Sequence, residues 1–175
     1  MKQLSNDKVL LRALEPEDVE LLYGWENDSD LWQVSNTIAP YSKYVLTQFI
    51  ESQMQDIYQT RQMRLVIESK LDNRPIGTID IFDFDPQNCR AGLGLMIYSH
   101  KDRRLGYATA AVEVVSRYCF EVLNMHQLYV NISADNQASI NLFEKCGFVE
   151  IGRKKDWLKA GNKWQDELMM TLIAQ

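Results

Sequence analysis

The spacing of apolar and polar residues changes several times along the 175-residue chain, and each change marks an expected element. Lys8-Val9-Leu10-Leu11-Arg12-Ala13-Leu14 is a compact β-rich run and predicts a first strand. Pro16 follows where a helix can begin without losing an internal hydrogen bond, so a helix is expected from Glu17 to Asn27. Asp28-Ser29-Asp30 interrupts it, and a second short helical stretch runs to Val34. Ser42 then caps a longer helix through about Tyr58. Met63 to Ser69 and Ile76 to Asp83 read as two strands joined by turn residues Leu71 to Arg74, an antiparallel hairpin. Ala91 to Tyr98 predicts a central strand, although Gly92 and Gly94 would weaken it unless backbone, ligand or a bulge approaches. From Gly106 to Leu123, Ala111, Val114, Val115, Tyr118 and Val122 fall at three-and-four spacing and define a helix with one buried stripe. Gln127 to Ser133 is a strand and Gln137 to Lys145 a short helix. Phe148 to Trp157 with Trp164 to Ile173 forms a closing hairpin.

The predicted order is therefore β αα βββ α β α ββ, an α/β layer fold. Its sheet should be largely antiparallel, with a parallel portion around the helix at Gly106. No repeat, low-complexity tract or linker divides it, so residues 1–175 are expected to form a single domain. Hydrophobic residues make up 46% and charged residues 25%, the balance of a chain that buries its own core and not of a disordered one. A formal charge of −5 gives no drive towards nucleic acid and suits a cationic partner better. No apolar run approaches bilayer length, and Met1 to Asn6 leads into strand-like sequence without a signal-peptide core, so a cytoplasmic protein without membrane association is expected. Cys89, Cys119 and Cys146 are odd in number, widely spaced and not near a His pair, which supports neither a disulfide framework nor a metal site.

The chemistry concentrates in Arg103-Arg104-Leu105-Gly106-Tyr107-Ala108, between a strand and a helix. At such a junction successive backbone N–H groups and the positive end of the helix dipole converge and can cradle an anion. Gly106 and Ala108 remove bulk where a phosphate must approach, and the paired arginines offer charge-assisted donors. A solvated basic turn would also have this composition. The glycine spacings of a Walker loop and of a Rossmann fingerprint are both absent.

Arg103-x-x-Gly106-x-Ala108 resembles the Arg/Gln-x-x-Gly-x-Gly/Ala signature of the GNAT superfamily of acyl-CoA N-acyltransferases. Asn136 to Phe148, Asn-Gln-Ala-Ser-Ile-Asn-Leu-Phe-Glu-Lys-Cys-Gly-Phe, is similar to a second family segment in the correct order. The opening Leu11 to Asp18 and closing Gly161 to Asp166 look like the branch of spermidine and ribosomal-protein N-acetyltransferases. The resemblance implies a mixed, mostly antiparallel twisted sheet with a central splay, flanked by helices. It implies that the backbone of Arg103, Arg104, Leu105, Gly106, Tyr107 and Ala108 holds the coenzyme A pyrophosphate, that Ile97 and Tyr98 line the pantetheine arm, and that Asn136 and Asn141 contact the cofactor. Asn136 is equally suited to be a helix N-cap.

Two positions depart from the pattern. Phe143 stands where the family often has a Tyr that protonates the departing thiolate, so water or Tyr98 would have to substitute. Gly92 stands where relatives carry a Glu base; Asp80, Asp83 and Asp85 are the nearest replacements, and Asp80 falls where spermidine-acetylating relatives tend to have Glu. Strand alternation puts Asp83 and Asp85 on the face opposite Asp80 unless a bulge intervenes. The expectation is an acetyl-CoA-dependent N-acetyltransferase using direct attack by a small-molecule primary amine, with a polyamine first. Asp80 and Tyr98 are its catalytic candidates. Alternatives are a non-catalytic acyl-CoA sensor or interaction module, or acetylation of a protein N-terminus or an aminoglycoside-like amine. A homo-oligomer is left open.

Overall fold

A computed structural model describes residues 2–32, 37–53 and 55–174. The chain builds one seven-stranded sheet in the order β1-β2-β3-β4-β5-β7-β6. Its strands are β1 Val9–Ala13, β2 Met63–Ser69, β3 Arg74–Asp85, β4 Arg90–Ile97, β5 Gln127–Ser133, β6 Val149–Ala160 and β7 Lys163–Ile173. The helices are α1 Val19–Glu26, α2 Lys43–Ser52, the single turn α3 Ile57–Thr60, α4 Tyr107–Glu121 and α5 Gln137–Lys145. The fold is α/β and matches the expected order closely. The difference lies after Ser42. Ser42 does cap a helix, its hydroxyl accepting the Val45 amide, but that helix ends at Ser52, and Asp56 caps a separate turn before β2. The expected helical stretch to Val34 runs into residues 33–36, which lie outside the described residues.

Alternation sends successive strand residues to opposite faces, and each face is covered by different helices. Leu65, Ile67, Ile79, Ile81, Leu93 and Ile97 join α4 and α5 in the larger core, with Ala111, Val114, Val115, Ile140 and Phe143. Val66 points the other way and packs with Leu14, Leu22, Leu46 and Ile50 beneath α1 and α2. Most of the predicted α4 stripe is buried, although Tyr118 and Val122 are only half-buried and Cys119 takes the fully buried place at that end. Burial pushes the Cys119 thiol up to about 12.

Two irregularities of the sheet matter for function. β4 and β5 form its parallel pair, and they stay paired only through Arg90–Gln127, Ala91–Leu128 and Gly92–Tyr129. Beyond Gly92 the two strands part: Leu93 to Ile97 continue against β3, and Val130 to Ser133 continue against β7. In addition, the β3–β4 register shifts between Phe82 and Asp85, where Asp83 has a left-handed φ of 47°. This bulge separates the three aspartates. Asp80 faces Arg64, Asp83 accepts the Tyr129 hydroxyl at 2.9 Å, and Asp85 takes Asn88 donors in the following turn.

Candidate active site

The parting of β4 from β5 leaves one edge of β4 without a strand partner. Tyr98 donates its amide to Ile76 of the neighbouring strand. Because successive amides in a strand point to opposite edges, the Ile97 N–H faces the gap. The Ile97 carbonyl faces it too, where it accepts the Arg103 Nε at 3.1 Å.

The segment after β4 is held in place before it reaches α4. Asp102 is 3% exposed and is gripped by both terminal nitrogens of Arg74, the first residue of β3; Nη1 lies 2.8 Å from Oδ2 and Nη2 bonds Oδ1. The Arg74 guanidinium holds the Asp102 carboxyl below the usual carboxylate range. Arg104 then adopts a φ of 63° and Gly106 a φ of 82°, so the chain turns sharply into α4. Gly106 is the residue whose freedom this turn requires, since a side chain is strained at that φ and an added Cβ would lie 2.8 Å from Lys8 Nζ. Lys8 itself donates to the Leu105 carbonyl at 2.8 Å. The first closure of α4 runs from the Ala110 amide to Gly106. The amides of Tyr107, Ala108 and Thr109 therefore have no acceptor within the helix, and the helix dipole adds to their attraction for an anion.

The groups that face the gap and the start of α4 are backbone, and the side chains of the segment are engaged elsewhere or exposed. The Arg103 guanidinium ties down the carbonyls of Ile97 and Tyr98 and does not extend freely from the bend. Arg104 and Leu105 are exposed. The Tyr107 hydroxyl turns inward to Ser69, 3.2 Å away. Ala108 is half-buried at the helix start. Asn136 is the N-cap of α5, accepting the Ser139 amide at 3.1 Å, while Asn141 accepts from Gln137 on the exposed side of that helix. Phe143 is 5% exposed and meets Phe148 edge-on at 5.1 Å.

On the other face of the sheet, near the end of β4, four distant segments contribute one polar cluster. Arg64 of β2 binds Asp80 of β3 with two nitrogens, at 2.6 and 3.0 Å, and Glu26 of α1 with a third at 2.5 Å. Its ring-facing side lies over Phe49 at 5.1 Å. The Tyr98 hydroxyl is 3.5 Å from Glu26 and 3.3 Å from the Thr78 hydroxyl, and the Tyr98 ring stacks flat on Trp25 at 4.2 Å. Burial, helped by the negative charge of Glu26, pushes the Tyr98 hydroxyl well above the usual tyrosine range, so it stays protonated at neutral pH. A cavity of about 170 Å³ adjoins the cluster, lined by Phe49, Gln62, Arg64, Asp80, Ile81 and Phe82. Sequence reasoning named Asp80 and Tyr98 but missed Glu26 and Arg64, which no motif connects. Trp157 and Trp164 stand apart from this cluster, exposed on the C-terminal hairpin.

The usual Glu position, Gly92, is packed by the protein itself. A Cβ there would lie 2.4 Å from Cε2 of Phe82.

The acetyltransferase (GNAT) domain family model matches residues 8–149. The chain belongs to the GNAT acetyltransferase family. GNAT enzymes of this kind move an acetyl group from acetyl-CoA to an amine, and this protein is an acetyl-CoA-dependent N-acetyltransferase. It is similar to the spermidine N(1)-acetyltransferase of Vibrio cholerae serotype O1, 24% identical over 168 residues that cover 96% of this chain and 94% of that one. The crystal structure of spermidine N-acetyltransferase from Vibrio cholerae in complex with CoA and spermine superposes with a TM-score of 0.84 at 24% identity, covering 96% of each chain. A dodecameric structure of the Vibrio cholerae protein in an intermediate state superposes at 0.79 and 24% identity, over 96% of this chain and 95% of that one. The GNAT fold thus accounts for the parted strands. Among the described residues no helix is long and apolar enough to cross a membrane.

Proposed function

We propose that this GNAT protein acts as one domain in the cytoplasm, acetylating a polyamine or a similar primary alkylamine by direct attack on acetyl-CoA. The observation that carries this reading is the coincidence of two backbone features: the parting of β4 from β5 after Gly92, and the free first-turn amides of α4 at the same end of β4. Together they suit a long, thin ligand that ends in a diphosphate. The bend from Arg103 to Ala108 would hold that diphosphate, with Ile97 and Tyr98 beside the arm. Acetyl-CoA supplies an activated thioester carbonyl to the site. The Ile97 amide is free to polarise that carbonyl as negative charge develops on its oxygen.

The acceptor must lose a proton before it can react. An alkylammonium of pKa about 10.4 requires roughly 4–5 kcal/mol to become neutral at pH 7, so a carboxylate or water chain near the nitrogen matters. The acceptor would enter on the α1–α2 face, where Phe49, Phe82 and Asp80 line the cavity and Trp25 and Glu26 stand behind it against Tyr98 and Arg64. Tyr98, kept protonated, can donate towards the leaving sulfur and so replace the hydroxyl that Phe143 lacks. The polyamine assignment draws on the names of the relatives, and self-assembly on the dodecameric neighbour.

The test is turnover. Purified protein with acetyl-CoA and a panel of spermidine, a simple monoamine, a peptide with a free amino terminus and an aminoglycoside should release free thiol in an amine-dependent way, fastest with spermidine. No amine-dependent release above background hydrolysis would defeat the reading.

A further inference from the structure

Asp80 and Glu26 both lie against Arg64, but they are engaged differently. Asp80 gives one oxygen to Nε and the other to Nη2 of the same guanidinium. To accept a proton it must surrender part of a bidentate, charge-assisted pair, which a neutral carboxyl cannot keep whole. Glu26 uses Oε1 alone, for Arg64 Nη1 at 2.5 Å and for the Tyr98 hydroxyl at 3.5 Å. Its Oε2 has no hydrogen-bond partner among the described residues. The side chain is 12% exposed, against 27% for Asp80, so Glu26 is the better shielded of the two while keeping an open lone pair.

Placement favours Glu26 as well. Trp25, the preceding residue, lies flat on Tyr98, and Tyr98 directly follows Ile97, whose amide faces the gap between β4 and β5. The Glu26 carbonyl is fixed by the Trp32 indole N–H at 3.0 Å. The Glu26 carboxylate therefore lies at the hydroxyl end of the Tyr98 side chain, which springs from the strand end where the thioester is proposed to sit. The charged and titratable groups facing it are Arg64 of β2, Asp80 of β3 and Tyr98 at the end of β4. Two carboxylates against one guanidinium leave a single negative charge, enough to match one ammonium.

We infer that Glu26 is the carboxylate that meets the acceptor ammonium and takes its proton, with Asp80 acting as a positioning residue through Arg64. The inference rests on the acetyl-transfer reading above. The ammonium passes one proton to Glu26 Oε2, directly or through one water, and the nitrogen lone pair forms the C–N bond. The C–S bond breaks with its electron pair on sulfur. A second nitrogen proton is lost as the thiolate gains one through Tyr98 or water, and Glu26 returns its proton to solvent.

Glu26→Gln keeps the shape of the side chain and an oxygen for Arg64, so it isolates the proton-accepting role. At pH 7, kcat/KM for spermidine should fall by about 10²-fold or more, the contribution typical of a general base. With 2,2,2-trifluoroethylamine, which its fluorines leave largely neutral at that pH, the loss should stay under about tenfold, because the base is hardly needed. Glu26→Asp should show a smaller loss with the same dependence on the amine. Calorimetry should find spermidine binding to the Gln variant weakened severalfold, while the melting midpoint and the acetyl-CoA affinity read by tryptophan fluorescence stay near wild type. Equal losses with both amines would overturn the inference, and so would a Gln variant as fast as wild type. Either of those results leaves wild-type turnover intact, whereas absent wild-type turnover defeats the acetyl-transfer reading itself.

Discussion

The two halves of the proposed site are made of different material. The cofactor half is backbone: the edge of β4 freed at Gly92, the bend at Arg104 to Gly106 and the first amides of α4. The acceptor half is side chains, Glu26, Arg64, Asp80 and Tyr98, brought together from four segments. A backbone site depends on the path of the chain and tolerates most side-chain changes. A side-chain site can be retuned one residue at a time without disturbing the fold. That difference suits a family in which one donor is shared while acceptors vary, and it predicts that substitutions in the two halves fail in different ways.

The sharpest way to break the comparison is Gly106→Val. Its φ of 82° excludes a β-branched residue, so the bend must rearrange and its amides lose their convergence. Each amide bond to a charged group contributes about 1.5–3 kcal/mol, so losing two should weaken coenzyme A binding by roughly 10²-fold or more. Titration by calorimetry would show it, and an unchanged affinity would refute the placement of the diphosphate. Arg64→Met attacks the other half. It leaves Glu26 and Asp80 facing each other without a cation, and unfolding by urea should show a loss of about 2–4 kcal/mol, near the range for breaking a shielded ion pair. Coenzyme A affinity should change little. If affinity fell with stability, the two halves would not be separable.

The smallest expected effect comes from Asp102→Asn, which loosens the anchor of the bend without altering the bend itself. Asp102 is held below its ordinary range by Arg74, so its contribution to stability is present above the unfolded-state value of about 3.9 and is lost as pH falls through the lower folded value. At pH 7 the variant should melt about 2–4 °C below wild type, a modest loss for a chain of this size. The gap should narrow as the pH is taken below 4. A gap that widened in acid would show that the Asp102–Arg74 pair is not its source.

The same contrast explains how much could be read in advance. Strand and helix order followed from periodicity, and the bend into α4 from one glycine-containing hexapeptide, because both depend on residues that are neighbours in sequence. The helix predicted to run from Ser42 to Tyr58 divides because Asp56 supplies a second cap, a signal that a continuous apolar pattern conceals. Of the side chains that the sequence offered as donors or contacts, Arg103 is occupied with the Ile97 carbonyl, and Asn136 takes the helix-cap role that was its other reading. Glu26 and Arg64 were invisible because their partnership spans 38 positions and depends on the packing of α1 over β2. The fates of Asp80, Asp83 and Asp85 hinged on a bulge that alternation alone does not announce.

The Phe82 ring that occupies the space beside Gly92 sets a condition on any side chain placed there. A glutamate placed at position 92 would meet that ring first, so it could enter the sheet only with Phe82 turned aside or replaced by a smaller residue, and the two positions are tied in any redesign of this strand pair.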